Sequence, residues 1–391
     1  MEQICDENLC TGCSACYNIC SKDAITMENN ELGFAYPKID NEKCVDCGLC
    51  KKICPALNPV LQKYPDDCYA VAANDDEELL SCASGGAATQ ISREIIKQNG
   101  VVYGCSSENP KEVQHVRIAD AAGLEILKGS KYVQSKIGNI FRKVKEDLKS
   151  GLKVFFVGTP CQIAGLKKYI GEKLNDNLYT ADLVCHGVPS QKMLNDNIHL
   201  YETENTLFQI KFRKKAITKQ NTVYRILFGW FFQNQPYKDN APIWVSYDED
   251  PYMNAFIGCL SFRDCCYKCR YANAARCADV TLADFWCLGS DAGFESGKGV
   301  SLLMVNNEKG KYLLSLLNSS CRIVQRDITE AIKGNGQLQR PSDLPYQRKM
   351  FCDLYVNGDF KTAVKRSMRK QKIKTKLKNF VLSMYKTIRL Q

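Results

Sequence analysis

A two-part architecture is predicted: a small α+β module held together by cysteines, followed by a larger α/β body with its own cysteine-rich region. Three features predict it. The first is a duplicated cysteine spacing, CTGCSACYNIC from Cys10 and CVDCGLCKKIC from Cys44. The second is the alternation of strand-like and helix-like patterns that begins at Cys68. The third is a later cysteine cluster, CCYKCRYANAARC, from Cys265.

The duplicated run carries the strongest chemistry. Cys10, Cys13, Cys16 and Cys20, then Cys44, Cys47, Cys50 and Cys54, both follow C-x2-C-x2-C-x3-C, the spacing of bacterial two-cluster ferredoxins. Three thiolates two residues apart on a tight loop wrap three corners of one cubane, and the fourth ligates the other cluster. One 4Fe-4S cluster is therefore expected on Cys10, Cys13, Cys16 and Cys54, the other on Cys44, Cys47, Cys50 and Cys20. A pair of zinc sites is the alternative, and the third evenly spaced cysteine in each run argues against it. Gly12 and Gly48 supply turns that aim amides at sulfur. Pro55 ends the second run as the signature asks, while Ser21 stands at the matching place in the first. The segments AITM and FAYPKID read as strands of a small two-hairpin fold, and the module is bounded at residues 1–60. Clusters this close form an electron relay, which needs a sink downstream.

Composition sets the wider frame. The chain has 391 residues, 22 cysteines and 45% hydrophobic residues, enough for a full core beyond the module. Asp6, Glu7 and the first cysteine run interrupt the early apolar positions, so no export signal is expected. No run of eighteen apolar residues occurs. A cytoplasmic location follows as the expectation, and in that reducing compartment dense cysteines read as metal ligands rather than disulfides. The net charge of +10 is uneven, because Lys361 to Gln391 holds 11 basic residues and no acid. The rest of the chain is near neutral, so a nucleic-acid surface is not expected. In a tail bounded at 351–391, Phe360, Val364, Met368, Leu377, Val381, Met384 and Ile388 recur at mostly helical spacing. That pattern suits contact with the inner face of a membrane or an acidic partner, and equally a helix packed on its own protein.

Between these ends, Pro55, Pro59 and Pro65 mark a linker. CYAVAAN, VVYGCSS, KVFFVG and LYTADLVCHG read as strands, separated by helical patterns, so a largely parallel sheet is expected. SGGAAT, Ser84 to Thr89, places a glycine pair at a helix start, a site for phosphate or simply for close packing. GTPCQ puts Cys161 in the first turn of a helix, where thiolate is favoured. Cys266 and Cys269 make half a metal site, and Cys161 and Cys185 at strand ends are the natural complement. Four-cysteine zinc is open on spacing alone.

The order SGG, GSKYVQS, VGTPCQIAGL, LVCHGVPS and CCYKCRYANAARCADVTLADFW resembles the beta subunit of coenzyme F420 hydrogenases and dehydrogenases, over roughly residues 1–350. The resemblance implies an α+β ferredoxin-like module fused to an α/β flavin-binding domain with a cysteine-rich C-terminal part, divided at 66–150 and 151–350. It implies a third 4Fe-4S cluster on Cys161, Cys185, Cys266 and Cys269, with Cys265 and Cys277 as extra thiols that are alternative ligands. It implies FAD, with Ser84, Gly85, Gly86, Lys131, Tyr132 and Ser135 as contacts. The expected activity is oxidoreduction between the clusters, FAD and an organic donor or acceptor, coenzyme F420-type or other. A ferredoxin-dependent reductase of a specific organic substrate, or an electron-transfer subunit with no substrate of its own, are the alternatives. Ferredoxin or another redox protein is the expected electron donor. His186 is a candidate proton donor or a neighbour of the cluster; Asp279 and Asp284 are expected to orient their loop.

Overall fold

The computed structural model describes residues 3–202, 207–217, 224–234, 243–295 and 297–369. Each cysteine run forms a loop that opens a short helix, Ala15–Ile19 and Leu49–Lys52. The two loops share a backbone signature: left-handed residues stand on both sides of the second cysteine, Gly12 and Ser14 (φ 65° and 63°) in one, Asp46 and Gly48 (54° and 71°) in the other. Alternating handedness turns successive amides to one side and builds an anion-binding concavity for sulfur. Only one glycine per loop is needed, since small polar side chains tolerate the other position. Between the runs, β1 (Ile25–Asn29) and β2 (Ala35–Ile39) pair antiparallel as one hairpin, where two hairpins were expected.

The body is built on an eight-stranded sheet. Its strands are β3 (Asp67–Ala73), β4 (Val101–Ser106), β5 (Gln114–Ile118), β6 (Val154–Gly158) and β7 (Leu178–Leu183). After β8 (Leu207–Ile217), β9 (Tyr224–Asn234) and β10 (Ile243–Ser246), which form a separate antiparallel sheet, come β11 (Val280–Asp284), β12 (Ser301–Val305) and β13 (Cys321–Arg326). The order is β13-β3-β12-β11-β7-β6-β4-β5. Only the middle, β4, β6, β7 and β11, runs parallel. β5 on one side and β12, β3 and β13 on the other are antiparallel, so the sheet is mixed rather than largely parallel. Strand alternation divides the core between two faces. Val102 and Phe155 point to one cluster, Tyr103, Val154 and Phe156 to the other, which the helices Ile140–Lys149 and Pro160–Ile170 cover.

The cysteine module docks on those two helices. Arg142 donates to the carbonyls of Asn18 (3.0 Å) and Cys20 (3.0 Å) and to Asp23 (2.8 Å). Asn18 donates to the Gly138 carbonyl at 2.8 Å. Gly165, mid-helix, faces Cys13 so closely that a Cβ there would lie 2.9 Å from its Sγ. At the C-terminal side, Phe360, Val364 and Met368 are buried with Tyr252, Phe351 and Tyr355. The first part of that stripe therefore packs on the protein's own core, one of the two readings its pattern allows. Leu377, Val381, Met384 and Ile388 lie outside the described residues. Among the described residues no helix is long and apolar enough to cross a membrane.

Candidate cluster and cofactor site

Cys10, Cys13, Cys16 and Cys54 surround one small cavity, with Ile4, Met27 and Pro37 closing it. Cys5 lines it too, its thiol hydrogen-bonded to Cys10 and Cys54; no spacing rule pointed to it. Burial pushes the Cys13 thiol up to about 11, whereas the hydrogen bond from Cys5 holds Cys10 below its ordinary value. In the second set, Cys44 and Cys47 act electrostatically on Cys50. Cys20 packs against the same apolar cluster as Cys50 and accepts from the Ala24 amide at 3.4 Å. Cys47 is exposed, so this set faces solvent.

The third set draws on three parts of the fold. Cys161 opens the helix after β6, Cys185 follows β7, Cys266 lies within the turn Asp264–Lys268 and Cys269 directly follows it. Cys185, Cys269 and Cys266 all act on Cys161, and Cys266 and Cys269 act on Cys185. The two extra thiols part company. Cys265 hydrogen-bonds Cys266, while Cys277 sits in the core and donates to the Pro160 carbonyl at 3.5 Å. Burial raises the Cys185 thiol to about 12 and also raises Cys161 well above its ordinary value; ligation to a metal displaces such protons. Among the described residues no three ligating side chains converge closely enough for one metal ion. The first set encloses a cavity rather than a point, which fits a polynuclear iron–sulfur cluster better than mononuclear zinc.

A buried salt bridge holds the third set's loop. Arg276, 3% exposed, donates to Asp182 at 3.0 Å and to the carbonyls of Tyr271 (2.8 Å) and Leu183 (3.0 Å). It thereby ties the segment after Cys269 to the strand end before Cys185. Asp279 is structural as well, accepting from the Thr180 amide and hydroxyl, both at 2.7 Å.

A cavity of about 330 Å³ opens at the C-terminal ends of β4, β6, β7 and β11, where ligands bind in open α/β sheets. Ser84, Gly86, Lys131, Tyr132, Ser135, Cys185 and His186 all line it. The helix Ala87–Lys97 begins there behind Gly86, whose φ of 87° suits glycine. Gly85 is placed differently. It lies against the sheet, where a Cβ would be 2.0 Å from the Val71 carbonyl oxygen, so close packing explains it. Lys131 caps the carbonyls of Leu127 (2.7 Å) and Lys128 (2.8 Å), and burial lowers its pKa to about 8. It braces the wall rather than reaching freely into the cavity. The packed surroundings lower the pKa of His186, leaving a neutral imidazole on the wall. Asp284 is held by Arg213 through two bonds of 2.8 and 2.9 Å, and both line the cavity.

One polar chain crosses the cavity floor. His115 Nε2 donates to the Val157 carbonyl at 3.0 Å, so Nδ1 accepts from the Ser135 hydroxyl at 2.9 Å. Gln162 donates to that hydroxyl at 3.0 Å and accepts from the Thr159 amide at 3.0 Å. Thr159 Oγ1 lies 3.2 Å from Cys161 Sγ. The sequence reading missed His115 and Gln162. Gln162 stands beside Cys161 in GTPCQ and could have been noticed; His115 could not, because its partners are 20 and 42 residues away.

Residues 9–58 match the 4Fe-4S dicluster domain, and residues 151–331 match the family described as the C terminus of the coenzyme F420 hydrogenase/dehydrogenase beta subunit. An uncharacterized polyferredoxin-like protein of Methanocaldococcus jannaschii is 38% identical over 72 residues. That match takes in 16% of this chain and 43% of the relative, so the chain spans under half of it. An uncharacterized ferredoxin of the same organism is 36% identical over 63 residues, 16% of this chain and 79% of the relative. A chain from the F420-reducing [NiFe] hydrogenase complex of Methanosarcina barkeri, solved in a xenon derivatization study, aligns with TM-score 0.45 and 17% identity. That alignment covers 74% of this chain and 98% of the other.

Proposed function

We propose, for a chain that belongs to the coenzyme F420 hydrogenase/dehydrogenase beta subunit family and carries a 4Fe-4S dicluster domain ahead of it, an iron–sulfur flavoprotein oxidoreductase with its own organic substrate. One observation carries the reading: Cys185 belongs to the third thiol set and also to the wall of the large cavity. A redox group on those thiols and a ligand in that cavity would share a boundary.

The eight cysteines of the module would hold two clusters; Cys161, Cys185, Cys266 and Cys269 would hold a third. The cavity would hold FAD. Bound there, clusters supply single electrons and a flavin exchanges them in pairs, as hydride, with an organic molecule. The remaining work belongs to side chains. Ser84 and the first amides of the helix Ala87–Lys97 bind anionic phosphate oxygens. Tyr132, packed on Phe256 at 4.7 Å, offers an apolar wall for a ring system. His186, neutral and open to the cavity, accepts or returns a proton on a ring nitrogen. Tyr271, buried, feels both Cys13 and Cys161, and Gly165 lets the helix that carries Cys161 press against Cys13.

The test is a fluorescence titration of FAD into the anaerobic, iron-loaded chain, beside the Gly86→Val chain. The expected result is saturable quenching at one FAD per chain, abolished by the substitution. Absence of binding would overturn the flavin reading and leave an electron-transfer subunit without a substrate of its own.

A further inference from the structure

Arg263 is the largest fully buried side chain, with no exposed surface, and it makes no ion pair with a carboxylate among the described residues. Among the described residues its guanidinium donates to neutral oxygens alone: the Cys10 carbonyl at 2.7 Å, the Ala35 carbonyl at 3.0 Å and the Gln134 amide oxygen at 3.3 Å. The Tyr36 ring lies 4.0 Å from its centre. An isolated buried cation is costly, and hydrogen bonds to neutral groups offset only part of that cost. The molecule nonetheless makes room for it. A Cβ on Gly12 would lie 2.9 Å from Arg263 Nη1.

Its position explains the arrangement. The charge of Arg263 acts on Cys10 from the first thiol set, and on Cys266 from the third with its neighbour Cys265. The backbone joins the same places: Arg263 N donates to the Val188 carbonyl at 3.0 Å, just past Cys185, and Cys266 N donates to the Arg263 carbonyl at 2.9 Å. In the solvent-facing set, the charges that act most on Cys50 are those of Cys44 and Cys47 rather than an arginine.

Resting on the cluster assignment above, we propose that Arg263 is the shared counter-charge of the Cys10 and Cys266 sets. Its guanidinium raises the reduction potential of the clusters they hold relative to the cluster at Cys44. A cluster on four thiolates is anionic, and reduction adds one more negative charge. A fixed cation in a low-dielectric interior favours that reduced state. Electrons entering at the exposed set then settle on the buried side. Arg263 is a positioning and tuning residue; it does not touch the large cavity.

The experiment is an EPR-monitored redox titration of the anaerobic full chain and of Arg263→Gln and Arg263→Lys, with iron counted on each sample. Signals are assigned with Cys47→Ser and Cys269→Ser chains. In Arg263→Gln the electron-sharing constant between either buried cluster and the Cys44 cluster moves tenfold or more toward the latter, about 59 mV for one electron. In Arg263→Lys the shift is smaller, and the Cys44 cluster stays in place in both. Fully loaded Arg263→Gln with all three potentials unmoved overturns the inference. Where Arg263→Gln loses buried iron, loaded Arg263→Lys with near-parental potentials supports it, and iron loss in both variants overturns it in favour of a role in shape. A parent chain loading fewer than three clusters overturns the cluster assignment itself, and the inference with it.

Discussion

Gly165→Ala probes how tightly the cysteine module is pressed on the body. The residue sits inside the helix Pro160–Ile170, where alanine alone would stabilise by about 1 kcal/mol. The added methyl carbon would stand 2.9 Å from Cys13 Sγ and 3.0 Å from its Cβ. Relaxed carbon contacts lie at about 3.5–4.0 Å, so roughly 0.5–1 Å of separation is needed. Overpacking of that kind costs about 1–3 kcal/mol, and the net is a loss of about 0–2 kcal/mol in the iron-free chain. Iron removes the easy escape, because a ligated Cys13 cannot rotate away. The loaded protein should therefore lose more stability than the apo protein, or shed the iron of that one set. Denaturant unfolding of both forms, with iron counted before and after, reads this out. A variant about 1 kcal/mol more stable than its parent, with full iron, would refute the tight contact.

Other consequences follow from named contacts. Serine at any of Cys161, Cys185, Cys266 or Cys269 should lower iron from about twelve to about eight per chain, whereas Cys277→Ser, whose thiol is packed in the core and donates to the Pro160 carbonyl, should leave the count unchanged. Arg276→Leu strands the buried Asp182 carboxylate and should destabilise by about 3–5 kcal/mol in chemical denaturation. Burial, aided by Lys131, depresses the His115 pKa from 6.5 to about 4. The unfolded state then binds the proton first, so stability is full above pH 6.5 and falls by about 3 kcal/mol as pH drops toward 4. His115→Gln should flatten that slope in pH-dependent melts.

Local chemistry was the legible part. The module's eight cysteines stand in two short runs whose spacing alone reports which thiols can share a cluster. The third set was legible only in outline: Cys266 and Cys269 are a visible pair, Cys161 and Cys185 stand at strand ends as its complement, and the folding that lays β6 beside β7 brings those two strand ends together. The same folding buries Cys277 elsewhere. On one side of the sheet strand direction was not legible because β3 pairs with β12 and β13 across more than two hundred residues of chain, a closure no local pattern encodes. Phe360, Val364 and Met368 displayed a helical stripe, but a stripe does not name what covers it; here Tyr252 and Phe351 do. Arg263 and His115 drew no notice because each looks ordinary in sequence and becomes unusual only through burial. Gly85 and Gly86, adjacent and alike in SGGAAT, part only in three dimensions, one against Val71 and one on the cavity.

The most direct test of the account is anaerobic purification of the full chain with iron, acid-labile sulfide and flavin counted per polypeptide. About twelve irons, as many sulfides and one FAD are predicted, matching three cubane clusters and a cavity filled by flavin. About eight irons and no flavin would contradict it, leaving the module as a working ferredoxin and the body without the redox groups proposed here.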